Sequence, residues 1–264
     1  CFLTGMDKVN LFLKAEEEVD AETEKKYMEL IAKRAERIPL QHITGTQEFM
    51  GYTFKVNPDV LIPRQDTETL VSEAAKTIQS TPREKLSFME KLKGGKEWSV
   101  LDLCCGSGAV GISLAKICGN IKVTASDISQ AAIDTAEENA KNLRTKIKFT
   151  RGNMFEPHEG KKFDMIVTNP PYIRTNMISI LQEEVKSHEP LKALDGGRDG
   201  LDFYRIIVEK AAEHLKPEGF LLMEIGHDQG EDLRKMLKDS SKYTPAVVIK
   251  DLPGRDRVVK CKLK

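Results

Sequence analysis

Residues 101–111, which read LDLCCGSGAVG, place three glycines between the end of an apolar strand and the start of a predicted helix. Gly106 and Gly111 belong to the spacing G-x-G-x-x-G, and Asp127 follows about 20 residues further on, at the end of the next predicted strand. Glycines let a backbone approach a ligand closely, and a carboxylate at the second strand end can accept both hydroxyls of a ribose. The spacing therefore predicts a binding site for an adenosine-containing ligand.

Strands and helices alternate from this stretch towards the C-terminus. Short apolar or alternating runs predict strands at residues 99–103, 121–126, 146–150, 163–167 and 220–225. Helical periodicity resumes after Ala109, Ser129, Leu201 and Asp228. Two further runs, at residues 243–250 and 257–262, predict a final hairpin. The pattern predicts an α/β fold with a doubly wound, mostly parallel, seven-stranded sheet covered by helices on both faces.

A smaller unit is predicted before this alternation. Apolar residues recur at helical spacing before Pro39, whereas residues 47–62 alternate around the turn signal Gly51. We expect a helical domain at residues 1–45, a β-hairpin linker at 46–63 and the main domain at 64–264. Because the chain opens with Cys1 instead of Met, we expect the helical domain to be truncated at its start.

The charge of the chain is balanced, with 41 Lys and Arg residues against 41 Asp and Glu residues. This composition lacks the basic excess that is typical of nucleic-acid-binding proteins, so we expect no direct nucleic-acid partner. No apolar run approaches the length of a membrane span, and no membrane association is expected. Residues 80–96 are rich in charge and contain Pro82 and two glycines, which predicts a surface segment.

The five cysteines are odd in number and lack the paired spacing of metal ligands. Disulfides form mainly in oxidising compartments, so we expect reduced thiols and a cytoplasmic protein. No metal site is expected.

A second motif, Asn169-Pro170-Pro171-Tyr172, ends the apolar run at residues 163–167, and we call it the clamp. Asn169 has a side-chain carbonyl and prolines lack a backbone N–H, so the turn presents acceptors with few donors of its own. A planar NH2 group could donate to the Asn169 side chain and to the Pro170 carbonyl, with Tyr172 as a flat apolar wall. The alternative is a strand-ending turn in which these residues serve conformation alone. The presence of the glycine loop favours the clamp.

Asp102 distinguishes the candidate cofactors, because it lies just before the glycine turn. A pyrophosphate at this helix N-terminus would be repelled by a carboxylate, whereas the ammonium group of a bound amino acid would be attracted. S-adenosylmethionine carries such an ammonium group and has no phosphate, so it is the predicted cofactor. A structural role for Asp102, in which it accepts hydrogen bonds from loop N–H groups, is compatible with this assignment.

With these motifs the chain resembles the N5-glutamine methyltransferases that modify class 1 peptide chain release factors. This is the HemK-like family within the class I S-adenosylmethionine-dependent methyltransferases. The matching segments cover nearly the whole chain and are residues 37–45, 48–49, 61–64, 102–108, 169–172, 188–190, 193–197 and 254–259. The clamp motif by itself is not specific for this family, because DNA adenine and other amino methyltransferases share it. Ile62-Pro63-Arg64 and Glu189-Pro190 are far more specific.

The resemblance implies a role for each matching residue. The methionine part of the cofactor would lie along Cys104, Cys105, Gly106, Ser107 and Gly108, beside Asp102. The ribose would be held by Asp127, and the adenine would be bordered by Asn153 and Met154. The substrate glutamine amide would be held by Asn169, Pro170, Pro171 and Tyr172. Of these, Asn169, Pro170 and Tyr172 are the expected catalytic residues, and Asn169 also borders the cofactor.

Four positions depart from the family pattern. Cys104-Cys105 stands where Gly-Thr is usual, Gln65 where Pro is usual, Asn153 where Asp is usual, and Met154 where an aromatic residue is frequent. None of these changes removes a group needed for chemistry. The adenine contacts stay open, since an Asn can either accept from the ring edge or donate to it.

The implied reaction is methyl transfer from S-adenosylmethionine to the side-chain amide nitrogen of the glutamine in the Gly-Gly-Gln motif of a release factor. The nearest alternative is methylation of a ribosomal-protein glutamine. A nucleic-acid N6-adenine methyltransferase is a more distant alternative. Such an enzyme should show a basic stripe and an extra recognition segment, and the neutral charge balance and short connections of this chain argue against both. A binding module that retains the pocket without activity is an alternative of another class. Residues 1–45 would recognise the substrate, and a monomer is expected.

Two residues keep alternative interpretations. Glu189 lies in the long segment after the clamp, where it either makes structural hydrogen bonds or contacts the substrate backbone. Phe49, on the predicted hairpin, either reaches over the cofactor or packs in the core.

Overall fold

The computed structural model describes residues 1–80 and 97–264. The predicted surface segment at residues 80–96 lies outside this description, except for Ser80. The α-helices are α1 (Lys8–Leu13), α2 (Ala21–Ala35), α3 (Leu40–Thr44), α4 (Glu68–Gln79), α5 (Ala109–Cys118), α6 (Gln130–Asn142), α7 (Thr175–Ile178), α8 (Glu183–Lys186), α9 (Asp202–His214) and α10 (Gly230–Asp239). Short 3-10 helices cover Gln65–Thr67, Glu156–His158 and Leu191–Ala193. Within the described ranges, none of the helices has the length and apolar character that crossing a bilayer requires.

The strands form a hairpin and one large sheet. They are β1 (Thr46–Phe49), β2 (Tyr52–Lys55), β3 (Trp98–Leu103), β4 (Ile121–Asp127), β5 (Ile147–Arg151), β6 (Phe163–Thr168), β7 (Leu215–Glu224), β8 (Val247–Lys250) and β9 (Asp256–Lys262). The sheet has the order β5-β4-β3-β6-β7-β9-β8, with β3 to β7 parallel and β9 antiparallel to both of its neighbours. The predicted seven-stranded, mostly parallel sheet is therefore confirmed.

The strand order reverses between β3 and β6, and this reversal positions the site. In open α/β sheets a crevice forms at such a switch point, outside the carboxyl ends of the parallel strands. Leu103 pairs with Thr168 in the register of β3 and β6. The glycine loop and the clamp therefore begin side by side.

Separate cores cover the two faces of the sheet, because successive strand residues point to opposite faces. Leu101 and Leu103 pack in a cluster with residues of α9 and α10. Val100 packs in a second cluster with residues of α4 and α5. All six residues of β6 are buried, as expected for a strand covered on both faces.

The hairpin β1–β2 is fixed to the main domain by apolar packing and by Asn139 of α6. Phe49 and Phe54 are buried in the same cluster as α4, with their ring centroids 6.0 Å apart. Phe49 is thus a core residue. The Asn139 side chain accepts from the Lys55 N–H at 2.7 Å and donates to the carbonyls of Lys55 and Ser107, each at 3.0 Å. One amide side chain therefore joins the hairpin to the glycine loop.

The N-terminal helices α1 and α2 bury none of their residues. Near the end of α2, Arg34 reaches Glu184 of α8 at 2.8 Å, and Arg37 reaches the same carboxylate at 3.3 Å. The helical segment is therefore held by charge to the segment that follows the clamp.

Candidate active site

A cavity of about 460 Å³ lies at the carboxyl ends of β3, β4 and β6. Most of the predicted site residues line it: Asp102, Cys104, Cys105, Gly106, Ser107, Asp127, Asn153, Met154, Asn169 and Pro171. The predicted residues Gly108, Pro170, Tyr172 and Glu189 do not line it. The 3-10 segments and the region after the clamp supply further walls, including Arg64, Thr67, Pro190, Lys192, Asp195 and Phe203.

The glycine loop contains several residues in the left-handed region of backbone conformation. Gly106 and Gly108 have φ values of 52° and 78°. Cys104 also has a positive φ, 61°, which is uncommon for a residue with a side chain. The Gly-Thr of the family pattern would place a glycine at this position, which relaxes the same backbone. The Cys104 Sγ lies 3.9 Å from the Met154 Sδ, so two of the departures from the family pattern contact each other.

Asp102 is buried and bonded to the loop. Its Oδ2 accepts from the Gly111 N–H at 2.8 Å, and a Cβ at Gly111 would lie only 2.8 Å from the same oxygen. Burial raises the pKa of Asp102 to about 7, the hydrogen bond from Gly111 lowers it, and the charge of Asp127 raises it further. Asp102 thus has the structural role foreseen for it, and it also lines the cavity, where a cationic group would favour its charged form.

Asp127 connects the end of β4 to the glycine loop. Its Oδ2 accepts from the Gly106 N–H and its Oδ1 from the Ser129 N–H, each at 2.9 Å. A carboxylate has about four acceptor sites, so both oxygens keep capacity for the hydroxyls of a ligand. The carboxylate is held in place at the cavity wall before any ligand binds.

Gly152, Asn153 and Met154, the last two of which are the predicted adenine-bordering residues, line the cavity. Asn153 is exposed and its Nδ2 donates to Glu156 at 3.4 Å, whereas Met154 is buried. With its Nδ2 directed to Glu156, Asn153 keeps its side-chain oxygen as the group available to a ligand.

In the clamp, Asn169 faces the cavity and Tyr172 faces the core. The Asn169 Nδ2 donates to the buried Thr67 Oγ1 at 3.3 Å. The ring of Tyr172 packs against the cluster that contains α9, and burial raises the pKa of its hydroxyl. The Tyr172 carbonyl accepts from the Gln229 Nε2 at 3.0 Å, and a Cβ at Gly196 would lie 2.7 Å from the Tyr172 Cα. The backbone of the clamp is therefore tightly enclosed.

Glu189 is buried and pairs with Arg64, which lines the cavity. Burial raises the pKa of Glu189, and the charge of Arg64 and its hydrogen bond lower it. The Glu189 Oε2 has no hydrogen-bond partner in the described part of the chain. Glu189 thus makes a structural ion pair, and Arg64 connects it to the cavity wall.

The motif-based predictions did not include Thr67 or Glu224. Glu224 ends β7 next to the clamp and is 1% exposed. Burial raises its pKa to about 7, while the nearby hydroxyls of Thr67 and Tyr172 and the charge of Arg257 lower it. The signal for Glu224 was present, since a lone carboxylate inside the apolar run of residues 220–225 is rarely buried without a reason. Over residues 1–80 and 97–264, no group of three or more His, Cys, Asp or Glu side chains is placed to hold a metal ion.

Two family models match the chain. The model described as "Methyltransferase small domain" matches residues 85–189, and the model described as "PrmC N-terminal domain" matches residues 1–45.

Curated relatives match the chain over nearly its full length. A release factor glutamine methyltransferase of Geobacter sulfurreducens is 40% identical over 255 residues, which cover 97% of this chain and 84% of the relative. Proteins of the same description are 39% identical in Moorella thermoacetica, with 97% and 85% covered, and 37% identical in Bacillus cereus, with 98% and 88% covered. The resemblance inferred from the motifs is confirmed.

Solved structures show the same fold at lower identity. A methyltransferase from Pyrococcus furiosus superimposes with a TM-score of 0.55 at 18% identity, covering 80% of this chain and 88% of the other. The 16S rRNA N2 G1207 methyltransferase of Thermus thermophilus, solved with AdoMet and guanosine, gives 0.56 at 17% identity, with 83% and 50% covered. These neighbours place the chain in the class I methyltransferase fold.

Proposed function

Since the chain belongs to the release factor glutamine methyltransferase family, we propose that it methylates the glutamine of the Gly-Gly-Gln motif of a class 1 peptide chain release factor. The methyl group comes from S-adenosylmethionine and goes to the side-chain amide nitrogen. The observation that carries the proposal is that one cavity joins the glycine loop, Asp102 and Asp127 to Asn169 of the clamp.

The residues around the cavity fit the proposed cofactor. Asp102 offers a buried carboxylate to an ammonium group, Asp127 offers carboxylate oxygens to a ribose, and residues 104–107 line the wall between them. Asn153 and Met154 border the adenine, and Gly108 shapes the loop without lining the cavity. When bound, S-adenosylmethionine supplies a methyl group that its sulfonium already activates. The chain therefore has to align the acceptor more than it has to provide acid–base chemistry.

The clamp orients the acceptor amide. The Asn169 Nδ2 is engaged with Thr67, so the Asn169 side-chain oxygen accepts one N–H group of the substrate. The Pro170 carbonyl is the second acceptor in this proposal, although Pro170 does not itself line the cavity. Holding both hydrogens turns the nitrogen towards the methyl donor, and the carbonyl dipoles stabilise the positive charge that develops on it. Pro171 and Tyr172 hold this turn in place. The proton leaves the nitrogen after methyl transfer, to water.

The remaining assignments belong to the same proposal. Residues 1–45 recognise the release factor, residues 46–63 form the linker and residues 64–264 form the methyltransferase domain. The protein acts as a monomer in the cytoplasm and has no direct nucleic-acid or membrane partner. Glu189 holds Arg64 at the cavity wall.

The test is methyl transfer from labelled S-adenosylmethionine to a purified release factor, beside a release factor whose Gly-Gly-Gln glutamine is replaced. We expect label only in the unreplaced protein, with mass spectrometry locating it on that glutamine. No transfer, with cofactor binding intact, would instead support a ribosomal-protein substrate or an inactive binding module.

The clamp has its own test in Asn169→Ala. We expect kcat to fall about a hundredfold or more, because the substrate amide loses one of its two acceptors. Cofactor affinity, measured by titration calorimetry, should change only modestly. An unchanged kcat in Asn169→Ala would contradict the proposed role of the clamp.

A further inference from the structure

His158 is a fully buried histidine to which the proposed reaction gives no role. It ends the 3-10 helix that follows Met154, and it is 0% exposed. Its Nε2 lies 2.9 Å from the Ser126 Oγ, and its ring meets the Phe163 ring edge-on with the centroids 5.8 Å apart. The Nδ1 has no hydrogen-bond partner within residues 1–80 and 97–264. Packing alone does not account for this ring, because an apolar side chain would fill the space without an unpaired nitrogen.

Ser126 connects this histidine to the cavity. It precedes Asp127 at the end of β4 and is 1% exposed, yet it lines the cavity. In the register of β3 and β4 it pairs with Leu103, so the two side chains point to the same face of the sheet. Leu103 and Met154 pack in one cluster on that face. The Ser126 hydroxyl therefore lies on the Met154 side of the cavity.

The position of the single ring hydrogen decides which way the hydrogen bond between His158 and Ser126 runs. Burial lowers the pKa of His158 to about 4, and the nearby charges of Lys161, His214 and Lys148 act in the same direction. The ring is therefore neutral near pH 7 and carries one N–H, on either Nδ1 or Nε2. A hydrogen on Nδ1 would be a buried donor without a partner, and Nε2 would then take the Ser126 hydrogen.

With the hydrogen on Nε2, the ring donates to the Ser126 Oγ and only an acceptor nitrogen stays unpaired. Buried sites tolerate an unpaired acceptor better than an unpaired donor. The Ser126 oxygen is then occupied by His158, and its own hydrogen is free to be donated to a ligand in the cavity. The geometry therefore favours a Ser126 hydroxyl that acts as a donor.

We propose that Ser126 is a further cofactor-binding residue and that His158 is the positioning residue that turns its hydroxyl hydrogen into the cavity. The ligand group is an acceptor of the adenosine part, because the neighbouring Asp127 and Met154 are the residues assigned to the ribose and the adenine. Adenine ring nitrogens accept hydrogen bonds and have no hydrogen of their own, so they require a donor of this kind. The inference rests only on the cofactor part of the proposed function and does not depend on which glutamine is methylated.

Titration calorimetry with S-adenosylmethionine measures the proposed contact directly. Ser126→Ala removes the hydroxyl, and we expect Kd to rise about three- to tenfold, the effect of losing one neutral hydrogen bond. The analogue 5′-methylthioadenosine keeps the adenosine and lacks the amino-acid group, so its Kd should rise by the same factor. Thr150→Val is the matched control, because Thr150 pairs with Ser126 in the sheet but does not line the cavity. Its Kd should equal that of the wild type.

Substitutions at His158 separate positioning from packing. His158→Gln can still donate to the Ser126 Oγ and should bind S-adenosylmethionine within about twofold of the wild type, whereas His158→Leu should bind about threefold more weakly. In a Ser126→Ala background, His158→Leu should cause no further loss, because the two residues act through one hydrogen bond. Packing alone would give an equal loss in both backgrounds. Nitrogen-resolved NMR of histidine-labelled protein should show the His158 hydrogen on Nε2 between about pH 6 and 8.

The proposal is overturned if Ser126→Ala binds S-adenosylmethionine as tightly as the wild type, a result that stays decisive should the His158 variants fail to fold. It is also overturned if Nδ1 carries the hydrogen, or if His158→Leu weakens binding equally with and without the Ser126 hydroxyl. A loss that disappears with 5′-methylthioadenosine would overturn the assignment to adenosine. A wild type that binds S-adenosylmethionine but does not methylate the release factor would overturn the proposed function and leave this inference standing.

Discussion

At the scale of single residues, the burial of Asp102 opposes its charge. Its pKa is about 7 in the folded chain, whereas an Asp in an unfolded chain titrates near 4. Between these pH values the folded chain keeps a proton that the unfolded chain has lost. The free energy of unfolding therefore falls as pH rises through this window. Above about pH 7 the full cost applies. The same negative charge is what a cationic ligand requires.

Asp102→Asn should therefore stabilise the ligand-free protein and weaken cofactor binding. The asparagine oxygen can still accept from the Gly111 N–H. We expect the free energy of unfolding to increase by a few kcal/mol at pH 8 and by less at pH 5, measured by denaturant unfolding. The affinity for S-adenosylmethionine at pH 8 should fall about tenfold or more, measured by calorimetry. If this variant kept the wild-type affinity for S-adenosylmethionine, Asp102 would serve only to hydrogen-bond the loop and would not bind the cofactor.

The site residues predicted from the sequence share one physical feature. Asp102, Asp127 and Asn169 each lie at the carboxyl end of a strand or one residue from it, and parallel strands bring their carboxyl ends to one edge of the sheet. Glu224 ends β7 at the same edge, whereas Thr67 lies before the first of these strands and meets Asn169 at a separation of 102 residues. Local sequence patterns do not predict a contact between residues so far apart in the chain.

At the scale of elements, local periodicity predicted the strands but misplaced the starts of β7 and β8. β8 begins at Val247, four residues after the predicted start at residue 243. β7 begins at Leu215, five residues before the predicted start at residue 220. Leu215 pairs with Phe163, and the register then shifts before Phe220 pairs with Met165. The intervening Pro217 and Gly219 are typical of a turn, and Glu218 between them has a φ of 59°, so these residues form an irregularity that the turn signal correctly indicated.

α6 joins the glycine loop to the hairpin through Asn139, and Asn139→Ala should loosen both. The side chain is buried and makes hydrogen bonds to the backbones of Lys55 and Ser107. Removing it leaves buried backbone groups unpaired, so we expect a loss of about 2–3 kcal/mol in the free energy of unfolding. The KM for S-adenosylmethionine should rise because Ser107 lines the cavity. Asn142→Ala, at the exposed end of the same helix, is the matched control; equal stability of the two variants would contradict this account.

At the scale of the whole molecule, an ion-pair cluster links the end of α2 to α8. Arg34 and Arg37 converge on one oxygen of Glu184, and their hydrogen bonds lower the pKa of that carboxyl to about 2, with Arg34 as the largest cause. α1 and α2 themselves contribute no buried residue. α8 belongs to the segment between the clamp and Pro190, and Pro190 lines the cavity. If residues 1–45 recognise the release factor, the ion pairs between α2 and α8 help to position that factor relative to the clamp.

Glu184→Gln should therefore raise the KM for the release factor about two- to fivefold at low salt and leave the KM for S-adenosylmethionine unchanged. The difference from the wild type should shrink as salt is added, because exposed charges are screened within about 10 Å at 0.1 M ionic strength. Glu183→Gln is the matched control, since among the described residues Glu183 pairs with Lys186 of its own helix at 2.9 Å and with the nearby Ser187 hydroxyl. Steady-state kinetics at two salt concentrations measure both variants. An equal KM for the two variants at low salt would mean that the attachment of α2 to α8 does not position the substrate, and that recognition depends on the cavity walls alone.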